Sequence, residues 1–293
     1  MSYAKTDDGV RLHYEEAGSG TPIVFVHEFG GNYRSWELQM RHFARTHRCI
    51  TFAARGYPPS DVPADVESYS QLRAVQDIVA VMDAAEVERA HIVGLSMGGF
   101  AALHVGLECP QRALALVVAG AGYGAEKAFE TYFRDVSLEV AKQFESQGSM
   151  RFAATYSLGA SRVQFQNKDP RGWQEFADLL AQHSDVGAAN TMRGVQARRP
   201  SLYDLEERLR TMRVPTLVMT GDEDDHCLQP AIFLKKTIPA CGLAVLPKTG
   251  HTLNLEEPEL FNRLVGDFIV QVEAGRWTER DPRAVPAQIM RTA

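Results

Sequence analysis

HIVGLSMGGF, residues 91–100, is the stretch on which the fold of this chain turns. Ala90-His91-Ile92-Val93 reads as a buried strand, and from about Met97 to Leu107 the apolar residues recur as in a helix. Between the two, Gly94-Leu95-Ser96-Met97-Gly98 fits G-x-S-x-G. A strand that turns straight into a helix forces its pivot residue into strained backbone angles, and small residues two before and two after it make the room. Such a turn holds the Ser96 hydroxyl above the sheet edge, at the positive end of the following helix. A glycine-rich turn with an incidental serine is the alternative, and the placement between strand and helix weighs against it.

Outward from this turn, short apolar runs alternate with helical periodicity. Residues 11–15 alternate as an edge strand would. Residues 22–27 form an apolar run that stops at Gly30-Gly31. Trp36, Met40 and Phe43 stand at helical spacing, and residues 49–52 read as the next strand. Leu72, Val75, Val79 and Met82 share one helical face. Residues 114–119, 216–219 and 243–246 are further buried strands, and Leu260, Leu264, Phe268 and Val272 mark a last amphipathic helix. Strands with little polar alternation, separated by helices, imply an α/β fold whose mostly parallel sheet is covered on both faces. From about 124 to 206 no strand run occurs, and aromatic residues such as Phe129, Phe133, Phe144 and Trp173 fall at helix-like spacing. The expected organisation is a core of residues 1–123 and 207–274, an inserted helical cap at 124–206, and a tail at 275–293 without clear period.

Of 293 residues, 45% are hydrophobic and 23% charged, which excludes a disordered or fibrous chain. Lys+Arg number 31 against 37 Asp+Glu, a net charge of −6. That balance lacks the basic footprint of a nucleic-acid binder. No apolar run reaches about 18 residues, so neither a membrane span nor a membrane partner is expected. The first residues lack the apolar segment of a signal peptide and read as mature protein. Cys49, Cys109, Cys227 and Cys241 are far apart with no CxxC, which points to reduced thiols in a cytoplasm. Neither G-x-G-x-x-G after a first strand nor G-x-x-x-x-G-K-S/T is present, and no nucleotide cofactor is implied. His226-Cys227 beside acids hints at a metal, but no second His or Cys stands at ligand spacing, so no metal and no other cofactor is expected. The expected partner is a small-molecule substrate, and a homo-oligomer is compatible with the sequence.

A serine hydroxyl needs a general base at neutral pH. Among nine histidines, His251 in LPKTGHTLNLEEP follows the last strand and precedes the final helix. It therefore lies on a loop at the carboxyl edge of the sheet, the edge where Ser96 sits. The base in turn needs a carboxylate to fix its tautomer. Asp222-Glu223-Asp224-Asp225 follow the strand TLVMT at the same edge, and only one of the four can face the imidazole. The order serine, acid, histidine is one of the known triad orders.

With HEFGG at 27–31, RGYPPSD at 55–61, GLSMGG at 94–99 and the GDEDD…GH pair, the chain resembles the Ser–Asp–His α/β-hydrolases that carry a helical cap, a group of esterases, haloperoxidase-like enzymes and C–C hydrolases. The resemblance spans about residues 8–274. It implies Asp224, the last residue of G-x-x-D, as the acid, with Asp225 and Asp222 in reserve. It implies an oxyanion hole made by the N–H groups of Met97 and Phe29. Glu28 departs from the glycine usual beside that hole. It is expected either to turn outward onto Arg34 or Arg55, or to shape the pocket and disfavour anionic substrates. His27 reads as a loop anchor and Arg55 as scaffold. Cap arginines Arg193, Arg198 and Arg199 are candidates to hold a substrate carboxylate, Arg193 first among them. The implied activity is hydrolysis of a small to medium carboxylic ester or lactone through an acyl-Ser96. The rivals are C–C hydrolysis of ring-fission-type diketo acids, amide hydrolysis, and a non-enzymatic small-molecule receptor on the same fold.

Overall fold

The computed structural model describes residues 2–284. Its strands are β1 (Ser2–Lys5), β2 (Arg11–Ala17), β3 (Pro22–Val26), β4 (Arg48–Phe52), β5 (Ala90–Leu95), β6 (Ala113–Ala119), β7 (Thr216–Gly221) and β8 (Cys241–Leu246). They form one sheet in the order β1-β2-β4-β3-β5-β6-β7-β8. β1 pairs with β2 and β2 with β4 antiparallel; every later pair is parallel.

Successive side chains on a strand point to opposite faces, and here both faces are dry. Ile23 and Phe25 of β3 pack with Trp36, with Phe43 of helix α1 (Glu37–Phe43), and with Phe261 and Phe268. Val24 and Val26 pack the other way, onto Val75 and Ile78 of α2 (Gln71–Ala84) and Phe100 and Leu103 of α3 (Met97–Glu108). Ser70 caps α2 by accepting from the Arg73 N–H at 3.0 Å, which satisfies one of the free donors of its first turn.

Two expectations change. Residues 11–15 lie in β2, which is not the edge: β1 flanks it, so Leu12, His13 and Tyr14 are all buried. The short β1, with one buried residue in four, is too brief to show a period. The buried face of α2 also lies one position round from the expected one. Val75, Ile78, Val81 and Met82 are buried, whereas Leu72 is 54% exposed.

Between the adjacent parallel strands β6 and β7 the chain forms helices only: α4 (Glu130–Tyr156), α5 (Val163–Lys168), α6 (Pro170–Leu180), α7 (Asp185–Thr191) and α8 (Glu206–Thr211). α4 breaks at Gly148, whose φ is +77°, and the Ser149 N–H there donates to the Asp185 carboxylate at 2.6 Å. This ties the bend to the start of α7. Phe144 and Phe152 of α4 and Ala188 and Ala189 of α7 share a buried cluster with Phe29, Ala53 and Met97. The helical insertion thus sits on the loops at the carboxyl ends of β3, β4 and β5. The remaining helices are α9 (Asp225–Thr237), α10 (Leu253–Glu256) and α11 (Pro258–Glu273).

Beyond α11 the chain docks through Trp277. Its indole N–H donates to the Ala240 carbonyl at 3.0 Å, and its ring stands edge-on to Phe268 at 4.6 Å. The last nine residues of the expected tail, 285–293, lie outside the described residues. Among the described residues no helix is long and apolar enough to cross a membrane.

Candidate active site

The turn after β5 is as tight as its glycines allow. A Cβ on Gly94 would stand 2.0 Å from the Gly98 carbonyl oxygen, and one on Gly98 2.0 Å from the Val26 carbonyl oxygen. These are backbone atoms that cannot give way. Ser96, at the pivot, has φ +54° and ψ −115°, a conformation that costs of order 1–3 kcal/mol and persists only where the surroundings impose it. Its N–H donates to the Ala119 carbonyl of β6 at 2.8 Å, and its carbonyl accepts from the Phe100 N–H at 2.9 Å. The serine is therefore locked between sheet and helix. The Met97 amide opens α3, where first-turn N–H groups have no partner within the helix.

His251 lies past β8 and is 4% exposed. Its Nδ1 is 2.7 Å from the Asp224 Oδ2, which accepts the ring proton and leaves Nε2 free to act as base. The four acids after β7 separate by environment. Asp222 accepts the Thr249 N–H at 3.1 Å and ties the two loops together, and Glu223 accepts from Gln164 at 2.6 Å. Asp225 is exposed in the first turn of α9. Asp224, 1% exposed, is the one that meets the imidazole. Burial works to raise its pKa, but the charge and hydrogen bond of His251 prevail and hold the carboxyl below its ordinary value.

Cys227 approaches the same pair: one atom each of Asp224, Cys227 and His251 fall within 4.8 Å of one another. Burial, followed by the Asp224 charge, keeps the thiol protonated well above its ordinary pKa. With Nδ1 and Oδ2 already bonded to each other, the trio has the spacing of a hydrogen-bonded pair beside a neutral thiol.

Ser96 and His251 line one cavity of about 190 Å3. The core supplies Phe29 and Tyr123, and the helical insertion supplies most of the rest, including Phe133, Val140, Tyr156 and Met192. Phe29 is buried, and its carbonyl accepts the Tyr57 hydroxyl at 3.0 Å, which fixes the peptide plane of the β3 loop. His27 braces the same loop. Its Nε2 accepts the Ala54 N–H at 3.1 Å, so Nδ1 carries the proton and donates to the Glu28 carbonyl at 2.7 Å. Burial lowers its pKa to about 4. Arg55 forks onto Asp77 at 2.6 and 2.7 Å and reaches Asp8 at 2.9 Å, which ties its own loop to helix α2 and to the turn between β1 and β2.

The expected environment of Glu28 is corrected. It does not turn outward, and Arg34 and Arg55 are not its partners. It is 2% exposed and takes a forked pair of hydrogen bonds, 2.9 and 2.5 Å, from Arg162 of the insertion, itself 1% exposed. The neighbouring glycines explain the direction. A Cβ on Gly31 would press on the Glu28 Cγ at 3.2 Å, and one on Gly30 would stand 2.9 Å from the Tyr156 ring. The loop is thinned so that the insertion can settle on it. Arg193 pairs with Glu145 (2.5 and 2.6 Å) and Arg198 with Glu67 (2.8 and 2.9 Å), and neither lines the cavity. Of the three arginines, the one that does line it is Arg199.

Sequence reading did not find Arg162, Tyr123, Tyr156 or Ser161. Ser161 accepts the His251 N–H on its carbonyl at 3.0 Å. Tyr123 stands edge-on to the imidazole at 5.1 Å. Only Gly120-Ala121-Gly122-Tyr123, a glycine-rich turn directly after β6, carried any signal of this.

The model of the alpha/beta hydrolase family matches residues 23–264. The chain is 25% identical over 252 residues to a 3-oxoadipate enol-lactonase of Acinetobacter baylyi, covering 86% of this chain and 89% of that protein. It is 28% identical over 275 residues to the 2-hydroxymuconate semialdehyde hydrolase of a Pseudomonas species, covering 91% and 93%. A solved N-acyl homoserine lactone degrading enzyme superposes with TM-score 0.75 at 29% identity, covering 91% of this chain and all of that one.

Proposed function

Because this chain belongs to the alpha/beta hydrolase family, we propose that it hydrolyses a small to medium carboxylic ester or lactone through an acyl-enzyme on Ser96. The observation that carries this reading is the pairing of two facts. Ser96 and His251 wall one cavity, and the far nitrogen of His251 is held by Asp224.

In this mechanism the Ser96 hydroxyl attacks the carbonyl carbon while the His251 Nε2 takes its proton. Asp224 fixes the tautomer and stabilises the imidazolium. The Phe29 and Met97 N–H groups receive the negative charge that grows on the carbonyl oxygen; losing one such donor costs about 2.7–4 kcal/mol of barrier. The imidazolium next protonates the leaving alkoxide. For an ester the alcohol departs; for a lactone it stays attached to the acyl chain. Water, deprotonated by His251, then attacks the acyl carbon and frees Ser96. The helical insertion acts as the cap that keeps bulk water from the reacting carbonyl and limits substrate size. The enol-lactonase and lactone-degrading relatives favour this class.

A second reading, C–C bond hydrolysis of ring-fission-type diketo acids, draws on the semialdehyde hydrolase relative. One screen separates the readings. Wild type and Ser96→Ala are assayed on short-chain esters, lactones, amides and a ring-fission acid, with a fluorophosphonate probe reporting on the serine. Ester or lactone turnover with an acyl burst, lost in Ser96→Ala, is the expected result. Activity confined to the ring-fission acid supports the second reading. Full ester activity in Ser96→Ala overturns the mechanism, and a single acylation without turnover identifies a receptor.

A further inference from the structure

Several arginines of the insertion pair with a carboxylate, whereas among the described residues Arg151, Arg171 and Arg199 do not, and of these three only Arg199 lines the cavity of Ser96 and His251. Arg162 sits on Glu28, Arg193 on Glu145 and Arg198 on Glu67. Arg199 has no carboxylate within 4.0 Å among the described residues. Its Nη1 donates to the Gln196 side-chain carbonyl at 2.6 Å and its Nη2 to the Tyr123 backbone carbonyl at 2.8 Å. Both acceptors are neutral. Two of the five guanidinium N–H groups are thereby used.

The position of this cation is not that of a surface arginine. Its guanidinium carbon lies 3.4 Å from the centroid of the Phe100 ring, one turn into the helix that starts after Ser96. The carbonyl it bonds belongs to Tyr123, whose ring faces His251 at 5.1 Å. Arg199 lines the same cavity as Ser96 and His251, and no acidic side chain shares that lining. A half-buried charge on a cavity wall, with no counter-charge beside it, is less favourable than one that a ligand's opposite charge completes. Burial presses on its pKa, yet an arginine keeps its proton throughout the working range. The stacking and the two neutral bonds hold the fork in one orientation before any ligand arrives, and a planar fork matches a carboxylate.

We infer that the substrate of this hydrolase carries a carboxylate in addition to the bond that is cleaved, and that Arg199 binds it. This rests on the serine hydrolase reading above and narrows it to half-esters of dicarboxylic acids and carboxylate-bearing lactones. Glu28 does not oppose such a substrate, because Arg162 neutralises it.

The test compares the mono-4-nitrophenyl ester of glutaric acid with 4-nitrophenyl valerate, nearly the same in length but neutral. The wild type should favour the anionic ester at least tenfold in kcat/KM, mostly through KM. Arg199→Gln should lower that ratio at least tenfold, and Arg199→Lys should retain part of it. Free glutarate should inhibit hydrolysis of the neutral ester competitively. If Arg199→Gln does not fold, as read by loss of fluorophosphonate labelling, the wild-type ratio and glutarate inhibition decide alone. A wild-type ratio near one, or a ratio unchanged in a folded Arg199→Gln, overturns the inference while Ser96-dependent turnover leaves the serine mechanism standing. Absence of any Ser96-dependent turnover or labelling removes both.

Discussion

Arg162 and Glu28 form a buried, forked ion pair that joins the helical insertion to the residue next to Phe29. The Arg162 guanidinium also lies 4.8 Å from the Phe176 ring centroid and donates to the Tyr156 hydroxyl at 3.2 Å. One residue earlier, the Ser161 carbonyl holds the His251 N–H. A two-residue step of the insertion therefore contacts both the loop of the proposed oxyanion donor and the loop of the proposed base.

Removing one partner of a buried pair leaves the other charge uncompensated, at a cost of about 3–5 kcal/mol. Glu28→Gln and Arg162→Met should each lose that much in urea unfolding. The double variant should lose less than the sum of the two, and less than Arg162→Met alone. Additive losses across the double-mutant cycle would show that the pair is not coupled. In Glu28→Gln, kcat on a neutral ester should fall more than KM rises, because the Phe29 amide loses its fixed position.

The acid assignment gives a sharper contrast. Asp224→Asn keeps the size of the side chain but removes the charge that fixes the His251 tautomer, and by analogy with other triads kcat should drop about 10^4-fold. Asp225→Asn, one residue away and exposed, should stay within about threefold. Comparable losses in the two variants would mean that the hydrogen bond from His251 to Asp224 does not serve catalysis.

Sequence and structure part company in an instructive place. The turn at Ser96 was legible because part of its steric demand is local: Gly94 faces the backbone of Gly98 within the turn itself, although Gly98 in turn faces Val26 at the end of β3. His251 and the acid cluster were legible because strand order alone puts their loops at one edge. The choice among Asp222, Glu223, Asp224 and Asp225 was open from the residues themselves, since the partners that occupy Asp222 and Glu223 are Thr249 and Gln164, far along the chain. The insertion was legible only as helices. Nothing in its periodicity distinguishes Arg162 or Arg199 from Arg193, because the difference lies in what each reaches once folded: Glu28 for Arg162, Glu145 for Arg193 and no carboxylate for Arg199. Leu72 misled for a related reason: helical spacing gives a face to within one residue, and only the packing of α2 on α3 decides which side is dry.

Stability should fall with acid before the carboxylates titrate. Burial holds His27, His91 and His104 neutral with pKa values of about 4, and His183 with about 3, against about 6.5 in the unfolded chain. Above pH 6.5 both states are neutral and nothing is lost. Below it the unfolded chain takes up protons that the folded one refuses, so stability drops as pH falls from 6.5 toward 4. Each histidine contributes up to about 1.4 kcal/mol per pH unit. Urea unfolding at pH 7, 6 and 5 should show this decline, and His27→Gln should flatten it by about 1 kcal/mol per pH unit over the lower interval. An identical slope in the variant would mean that His27 takes up its proton in the folded state too.

Gly98 is among the most tightly confined glycines of the described residues, and it stands beside the site. Its Cβ position lies 2.0 Å from the Val26 carbonyl oxygen and 2.8 Å from that of His27, so a methyl group there collides with the end of β3. Relief requires α3 to move away from the sheet, which drags the Met97 amide and the Ser96 pivot with it, or β3 to shift, which displaces Phe29. Either movement separates the two proposed oxyanion donors, each worth about 2.7–4 kcal/mol of barrier. Gly98→Ala should therefore lose both stability and activity, with kcat down at least 100-fold in whatever fraction folds. Gly106 offers the control, since it lies on the same helix but away from the site. A Cβ there meets the ends of the Leu116 and Met212 side chains, at 2.5 and 2.8 Å, which are able to rotate. Gly106→Ala should cost stability through crowding while kcat in the folded fraction remains within a few-fold of wild type. Measuring kcat per fluorophosphonate-reactive site in both variants separates the two effects. A Gly98→Ala protein that keeps wild-type kcat per site would show that the close approach of α3 to β3 is not what sets the geometry at Ser96.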